Sequence, residues 1–110
     1  MKEILPHIDK LLENKYRLAI MAALMKKPGL TFNEIKDALG LTDGNLSSNT
    51  ILLEERGYIE TDKRFVGRRP LTTYRLTNKG YKAFAKHCEQ LAKVISGQFS
   101  LDEGQSDSSQ

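Results

Sequence analysis

The stretch KRFVGRRPLTTYRL, residues 63–76, concentrates positive charge around a glycine. It holds five basic residues in fourteen and no acid. Residues 58–93 carry nine basic side chains against three acidic ones, whereas residues 1–57 are balanced, with eight of each. A basic block on an otherwise balanced chain attracts a polyanion, and nucleic acid is the commonest one inside a cell. The alternative is a solvated basic face without a partner. The residues predicted to contact phosphates are Lys63, Arg64, Gly67, Arg68, Arg69 and Arg75.

A second group of polar side chains lies upstream, in TDGNLSSNTILLEER. At a helical period, Leu46, Thr50 and Leu53 share the inward face, and small polar and apolar residues point outward. Amides and hydroxyls can bond base edges, and Ile51 can meet a thymine methyl. Because this face has no basic residue, we expect binding to depend more on the charged hairpin. The alternative is a solvated helix face with capping roles. The predicted contact residues are Thr42, Asp43, Gly44, Asn45, Ser47, Ser48, Asn49 and Ile51.

Catalytic and metal chemistry are hard to build from the remaining residues. His87 and Cys88 are adjacent, so on a helix their side chains diverge by about 100° and do not form a nucleophile–base pair. His7 is the only other histidine, and there is no glycine-rich phosphate loop. One thiol and two imidazoles do not complete a tetrahedral metal site unless two chains share ligands. We therefore expect no enzymatic activity, no cofactor and no bound metal.

The chain length and its apolar segments predict one domain in a cytoplasmic protein. The longest apolar stretch, residues 18–24, is too short to cross a bilayer, so no membrane contact is expected. A single cysteine cannot form an internal disulfide, which favours a reducing compartment. We predict a domain over residues 1–97. The polar, acidic residues 98–110 are expected to be a disordered tail.

Capping residues and breakers divide the domain into a series of short elements. The first helix is expected from Pro6 to about Glu13, and Asn14 caps a second over residues 15–27. Thr31 and Glu34 have the form of a capping box for a helix over residues 32–39. After the short linker GLT a further helix runs over residues 43–56, an arrangement typical of a helix-turn-helix but also of ordinary helical hairpins. Predicted strands at 58–65 and 71–76 and a final helix over 78–98 complete the order.

This order is that of a winged helix-turn-helix, a mainly α fold with a small β-hairpin wing, in the α+β class. The residues LGLTDGNLSS and GRRPLTTYRLTNKG also resemble the compact winged-helix transcriptional regulators of bacteria and archaea, related to the MarR and ArsR families, over about residues 14–91. The resemblance implies a homodimer that binds a near-palindromic operator in double-stranded DNA, acting as a repressor. It implies a recognition helix in the major groove and the wing on the flanking minor groove. No effector can be named.

The final helix carries an apolar seam spaced for pairing with another helix. Its members lie three or four residues apart, a spacing that fits packing on the same domain almost as well. The outer members extend about 15–20 Å beyond the first ones at 1.5 Å per residue, which favours a dimer through both terminal helices. The predicted interface residues are Ile4, Ile8, Leu11, Tyr81, Phe84, Cys88, Leu91 and Ile95.

Two functions remain open from the sequence. The first is a sequence-specific, homodimeric DNA-binding regulator. The second is a winged-helix protein-interaction module or antirepressor that keeps the fold and uses Ile51 and Leu52 as an apolar docking patch. Binding through charge weakens with added salt and apolar docking does not, so salt dependence separates the two.

Overall fold

The computed structural model describes residues 8–98. A short 3₁₀ helix precedes four α-helices and three β-strands, an arrangement that confirms the predicted α+β winged helix. The elements are the 3₁₀ helix Lys10–Glu13, α1 Lys15–Lys26, β1 Leu30–Thr31, α2 Phe32–Leu39, α3 Asp43–Glu55, β2 Ile59–Val66, β3 Arg69–Leu76 and α4 Asn78–Ile95. None of the helices in this part of the chain has the length and apolar character needed to span a membrane.

Each α-helix begins at the capping residue that the sequence indicates. The Asn14 side chain accepts hydrogen bonds from the backbone N–H groups of Tyr16 and Arg17 in the first turn of α1. Thr31 and Glu34 form the reciprocal capping box at the start of α2. Thr42 and Thr77 cap α3 and α4 through their hydroxyls. Since these side chains satisfy backbone donors that the helix leaves unpaired, the chain itself determines where each helix starts.

The core forms where α1 meets the inner faces of α2, α3 and the sheet. Ile20 and Met21 of α1 are fully buried, as are Leu46 and Leu53 of α3. Thr50 is also buried, so the inward face predicted for α3 is confirmed. Because the apolar residues of α3 recur at helical spacing, its opposite side is left exposed.

The sheet has three antiparallel strands in the order β1-β3-β2, one more than the sequence predicts. Strand β1 is two residues long and pairs with the inner end of β3, Leu30 with Tyr74. Strands β2 and β3 pair over eight residues up to Val66 and Arg69, so Gly67 and Arg68 alone make the turn. Gly67 has φ +66°, as the first central residue of a type II′ turn requires. The predicted five-residue connection is therefore too long, and the wing is longer than expected.

The N-terminal helix is shorter than predicted. Residues 1–7, including Pro6 and Ile4, lie outside the described residues. Asp9 is extended, and its carboxylate accepts a hydrogen bond from the N–H of Leu11 at 2.9 Å, which starts the 3₁₀ turn at Lys10. The helix expected across Ile8 and Asp9 is therefore wrong. At the other end, α4 stops at Ile95, three residues before the predicted end.

Candidate nucleic-acid interface

The outward side of α3 is small, uncharged at its centre and open to solvent. Gly44, Ser47 and Ser48 are exposed, and Ile51 is 50% exposed. Apart from its two chain neighbours and the nearby helix backbone, nothing lies within 4 Å of the position that a Cβ on Gly44 would take, so the first turn of α3 is bare at Gly44. A glycine in the first turn of a helix lets the backbone come close to a phosphate or a groove edge.

The charged residue at the start of α3 is already paired. Asp43 accepts a hydrogen bond from Lys36 of α2, with the lysine Nζ 2.9 Å from its carboxylate oxygen. This hydrogen bond is the main cause of the raised pKa of Lys36. The pair neutralises the one acidic group of the first turn, so less negative charge faces a polyanion approaching this end of α3.

Asn49 does not lie on the outward side, although the sequence predicted it as a contact residue. It is 7% exposed, and its amide nitrogen donates to both the backbone and side-chain oxygens of Asn45 at 2.8 Å. Its amide oxygen accepts a hydrogen bond from Arg17 of α1 at 2.9 Å. Arg17 also donates to the carbonyl of Leu11 at 2.7 Å. Since Asn49 connects α1 to α3 inside the protein, we exclude it from the candidate interface. The helical spacing that groups Leu46 and Leu53 on the inner face of α3 also places Asn49 close to that face.

The neighbouring polar residues are only partly available. Asn45 is half-buried and its side-chain oxygen is occupied by Asn49. The Ser48 hydroxyl donates to the carbonyl of Asn45 at 3.2 Å, which leaves its oxygen free to accept. Thr42 is exposed but its oxygen caps the helix by accepting from the N–H of Asn45. Ser47 and Ile51 are therefore the least constrained side chains at the centre of the α3 surface.

The wing presents its positive charge at its outer half. Lys63, Arg68 and Arg69 are exposed, and none of them has an acidic partner among residues 8–98. Two further arginines of the hairpin are paired: Arg64 with Asp62, two residues earlier on β2, and Arg75 with Glu60 at 3.1 Å across the strands. The candidate phosphate contacts thus separate into three free cations and two partly neutralised ones.

The outer end of the wing also carries apolar side chains that the sequence reasoning missed. Phe65 is 73% exposed and Val66 is 60% exposed. They sit directly before the turn glycine, paired with Pro70 and Arg69 respectively. The signal was present as an apolar pair inside a basic stretch, a combination that charge counting alone does not register.

Contacts at the base of the wing hold the wing and α3 in one arrangement. The Thr77 hydroxyl donates to the carbonyl of Gly57, just after α3, at 2.6 Å, and its backbone N–H bonds the carbonyl of Tyr58 at 3.0 Å. Gly80 of α4 packs so closely on Tyr58 that a Cβ there would collide with its carbonyl oxygen. The Tyr58 hydroxyl in turn donates to Asp9. The two candidate DNA-contacting elements therefore share a rigid support.

The seam predicted on α4 divides between two surfaces. Phe84 and Leu91 are half-buried, and Phe84 packs against the core. Tyr81, Cys88 and Ile95 are exposed, and they lie seven residues apart along one side of the helix. Tyr81 is 56% exposed, because the inward side of α4 is centred on Gly80 and His87. At the N-terminal end, Ile8 and Leu11 are half-buried and Ile4 lies outside the described residues.

A helix-turn-helix whose outward second helix stands beside a cationic hairpin defines a DNA-binding domain of the winged-helix class. The chain belongs to the family of winged helix DNA-binding domains, whose model matches residues 16–95. This confirms the family expected from the sequence, and it is a family of transcriptional regulators and not of enzymes.

The most informative solved relative is also a regulator homologue. The structure is similar to that of a transcriptional regulator homologue protein from Pyrococcus horikoshii OT3, with a TM-score of 0.77 and 34% identity, over 88% of this chain and 94% of that chain. An uncharacterized protein of Methanocaldococcus jannaschii is 35% identical over 85 residues, 77% of this chain and 92% of the relative. The transcriptional regulator YodB of B. subtilis shares the fold, with a TM-score of 0.69 and 24% identity over 78% of this chain and 84% of that chain.

Proposed function

We propose that this DNA-binding regulator acts as a homodimeric repressor that binds an inverted-repeat operator. The observation that carries the proposal is the position of α3 next to a wing whose outer half holds three cations without an acidic partner among residues 8–98. A helix has the right diameter for the major groove, and a cationic hairpin beside it meets the flanking phosphates.

The exposed side of α3 carries little charge but has side chains that can recognise DNA bases. Ser47 and Ser48 supply hydroxyls for base edges or phosphates, and Ile51 supplies an apolar contact for a thymine methyl. Helix α3 contains no lysine or arginine, the side chains that usually read guanine through two hydrogen bonds. We therefore expect the α3 half-site to favour A·T pairs over G·C pairs.

The wing supplies most of the affinity in this proposal. Lys63, Arg68 and Arg69 would each neutralise a phosphate, about six per dimer, and each contact releases about 0.9 counterion from the duplex. The slope of log affinity against log salt should therefore be about −5. Arg64 and Arg75 contribute less because Asp62 and Glu60 already offset their charge.

Dimerisation would use the exposed side of α4. Tyr81, Cys88 and Ile95 form an apolar strip along about four turns, continuous with the half-buried Leu91. A two-fold axis through such a strip relates two α3 helices, which then meet major grooves about 34–36 Å apart on one side of the duplex. The operator is an inverted repeat for this reason.

In this proposal, the dimer represses transcription by occupying the operator. A dimer seated on a promoter excludes other proteins from the same grooves, so it needs no further contact surface to block transcription. A cytoplasmic location belongs to the proposal, because the regulator must have access to its operator.

A second function, docking to another protein, is favoured by one observation. Ile51 and Leu52, adjacent on α3, are 50% and 41% exposed. An apolar pair of this kind fits the surface of a partner protein as well as a groove. In that case α3 would bind its partner with little dependence on salt, because the contact contains no free cation.

Selection from a pool of random duplexes, followed by titration of the enriched sequence, tests the proposal. The expected result is an inverted repeat bound by a dimer with a steep salt dependence. Replacing Arg68 and Arg69 with Ala should cost about 2 kcal/mol or more of binding free energy and reduce the salt slope by about one unit per lost contact. The matched control is Lys82→Ala with Lys86→Ala, which removes the same charge from exposed positions of α4 that lie about 100° or more around the helix from Tyr81.

Two results would count against DNA binding through the wing. Recovery of no enriched sequence, together with equal affinities for the wing variant and its control, would remove the wing from the mechanism. Salt-independent binding to a protein partner, lost on Ile51→Ser, would support the second function instead.

A further inference from the structure

We propose that the end of the wing is an apolar wedge that enters the minor groove and bends the DNA. The inference rests on the proposed function, since it specifies how the wing of this regulator meets the duplex. The wedge consists of Phe65, Val66 and Pro70, next to the turn residues Gly67 and Arg68.

The strand register places apolar side chains on both faces of the hairpin end. Successive residues of a strand point to opposite faces, so Phe65 and Val66 cover different sides. Pro70 lies directly opposite Phe65 and shares its face, whereas Arg69 lies opposite Val66. Phe65 is 73% exposed and Val66 is 60% exposed, so neither is used by the core. Single exposed apolar residues are common on proteins, but a pair covering both faces of a hairpin end forms a shaped apolar element.

The charge around these side chains identifies the partner as a polyanion. Lys63 precedes the apolar pair on β2, and Arg68 and Arg69 follow it at the turn and on β3, all three without an acidic partner in the described chain. A second copy of the same wing would bring like charges together, which is unfavourable. A nucleic-acid groove offers phosphates to the cations and base edges to the apolar side chains at the same place.

The dimensions decide how the wing end and the groove fit. Paired strands lie about 4.8 Å apart before side chains are added, whereas the minor groove of B-DNA is about 6 Å wide. Only the end of the hairpin can enter, and the two-residue turn makes this end as narrow as a hairpin allows. An aromatic ring inserted there partly unstacks a base step, widens the groove and kinks the duplex by about 20–90°. Flexible pyrimidine–purine steps such as TA should be preferred at this position because they unstack at least cost.

DNA bending measured on matched variants tests the wedge. A duplex of about 20 base pairs, close to the two helical turns that a dimer covers, carries a donor and an acceptor dye at its ends and a TA step in each flank. The wild-type protein at saturation should raise the energy transfer by the equivalent of a bend of at least about 20°. Phe65→Thr keeps a strand-forming residue but removes the ring, so it should still bind with a steep salt dependence while the bend disappears. Phe65→Leu keeps an apolar wedge and should retain most of the bend. Val66→Thr, nearly isosteric and on the other face, should reduce it.

Four results would overturn the wedge, and one of them would also refute the proposed function. Wild-type binding without a change in energy transfer overturns the wedge and leaves the proposed function intact. A Phe65→Thr protein that bends the duplex like the wild type also overturns it. A lower mass for Phe65→Thr by light scattering would place the wing end in a protein interface and overturn it as well. Failure of the wild-type protein to bind any duplex would refute both the proposed function and the wedge. Thermal unfolding verifies that each variant keeps the fold. We expect the variants to have the wild-type Tm, because Phe65 and Val66 are largely exposed.

Discussion

Replacing Asn49 with Ala should destabilise the protein rather than change which DNA sequence it selects. The substitution removes a hydrogen bond from Arg17 and two donations to Asn45, at 2.9, 2.8 and 2.8 Å. A hydrogen bond to a charged group contributes about 1.5–3 kcal/mol to stability and a neutral one about 1 kcal/mol. Arg17 is half-buried and keeps its bond to Leu11, and the oxygens of Asn45 can accept water instead. We therefore expect a loss of about 2–3 kcal/mol in the free energy of unfolding, with a fall in Tm of roughly 10–20 °C for a domain of this size.

Urea unfolding and site selection together measure the two possible roles. The matched control is Ser47→Ala, because Ser47 is exposed on the same helix and its loss should change stability by less than about 0.5 kcal/mol. Ser47→Ala should alter base preference at its position in the half-site, and Asn49→Ala should leave the preference unchanged at a temperature where it is folded. An Asn49→Ala protein with the parental unfolding free energy and a changed site preference would refute the structural role assigned to Asn49.

Four further substitutions test the elements around the interface. Gly44→Ala should raise stability by about 0.5–1 kcal/mol, because alanine favours the helix, but weaken DNA binding if the bare turn meets the duplex; equal or tighter binding would contradict that contact. Gly80→Ala should instead destabilise by more than about 2 kcal/mol in urea unfolding, since its Cβ would collide with the Tyr58 carbonyl. His87 is buried and burial lowers its pKa, so the unfolded state takes up the proton first and stability should fall as the pH drops below about 6.5. His87→Leu should flatten that dependence, and an unchanged pH profile would show that other groups cause it. Ile95→Glu, on the exposed strip of α4, should halve the mass measured by light scattering at micromolar concentration, whereas a wild-type mass near 12 kDa would exclude the dimer.

Most of the fold could be predicted from the sequence because helix caps and helical spacing act over short stretches of the chain. The caps Asn14, Thr31, Thr42 and Thr77 bind backbone groups within three residues of themselves, so their effect depends on no distant part of the chain. The inward side of α3 was equally accessible, because helical spacing alone groups Leu46, Thr50 and Leu53. The basic character of the wing also follows from composition. These features predicted the winged helix and a polyanion partner.

Only the tertiary structure decided how individual polar residues are used. Asn49 and Ser48 are adjacent polar residues on one helix, yet Asn49 is directed to Arg17, a residue 32 positions earlier in the chain. Similarly, Arg75 is partly neutralised by Glu60 across the sheet, while Arg68 at the turn has no acidic partner in the described part of the chain. A hydrogen bond or ion pair between distant residues depends on the register and packing of whole elements, which periodicity does not encode. The two-residue strand β1 escaped prediction for the same reason, since it exists only through its pairing with β3.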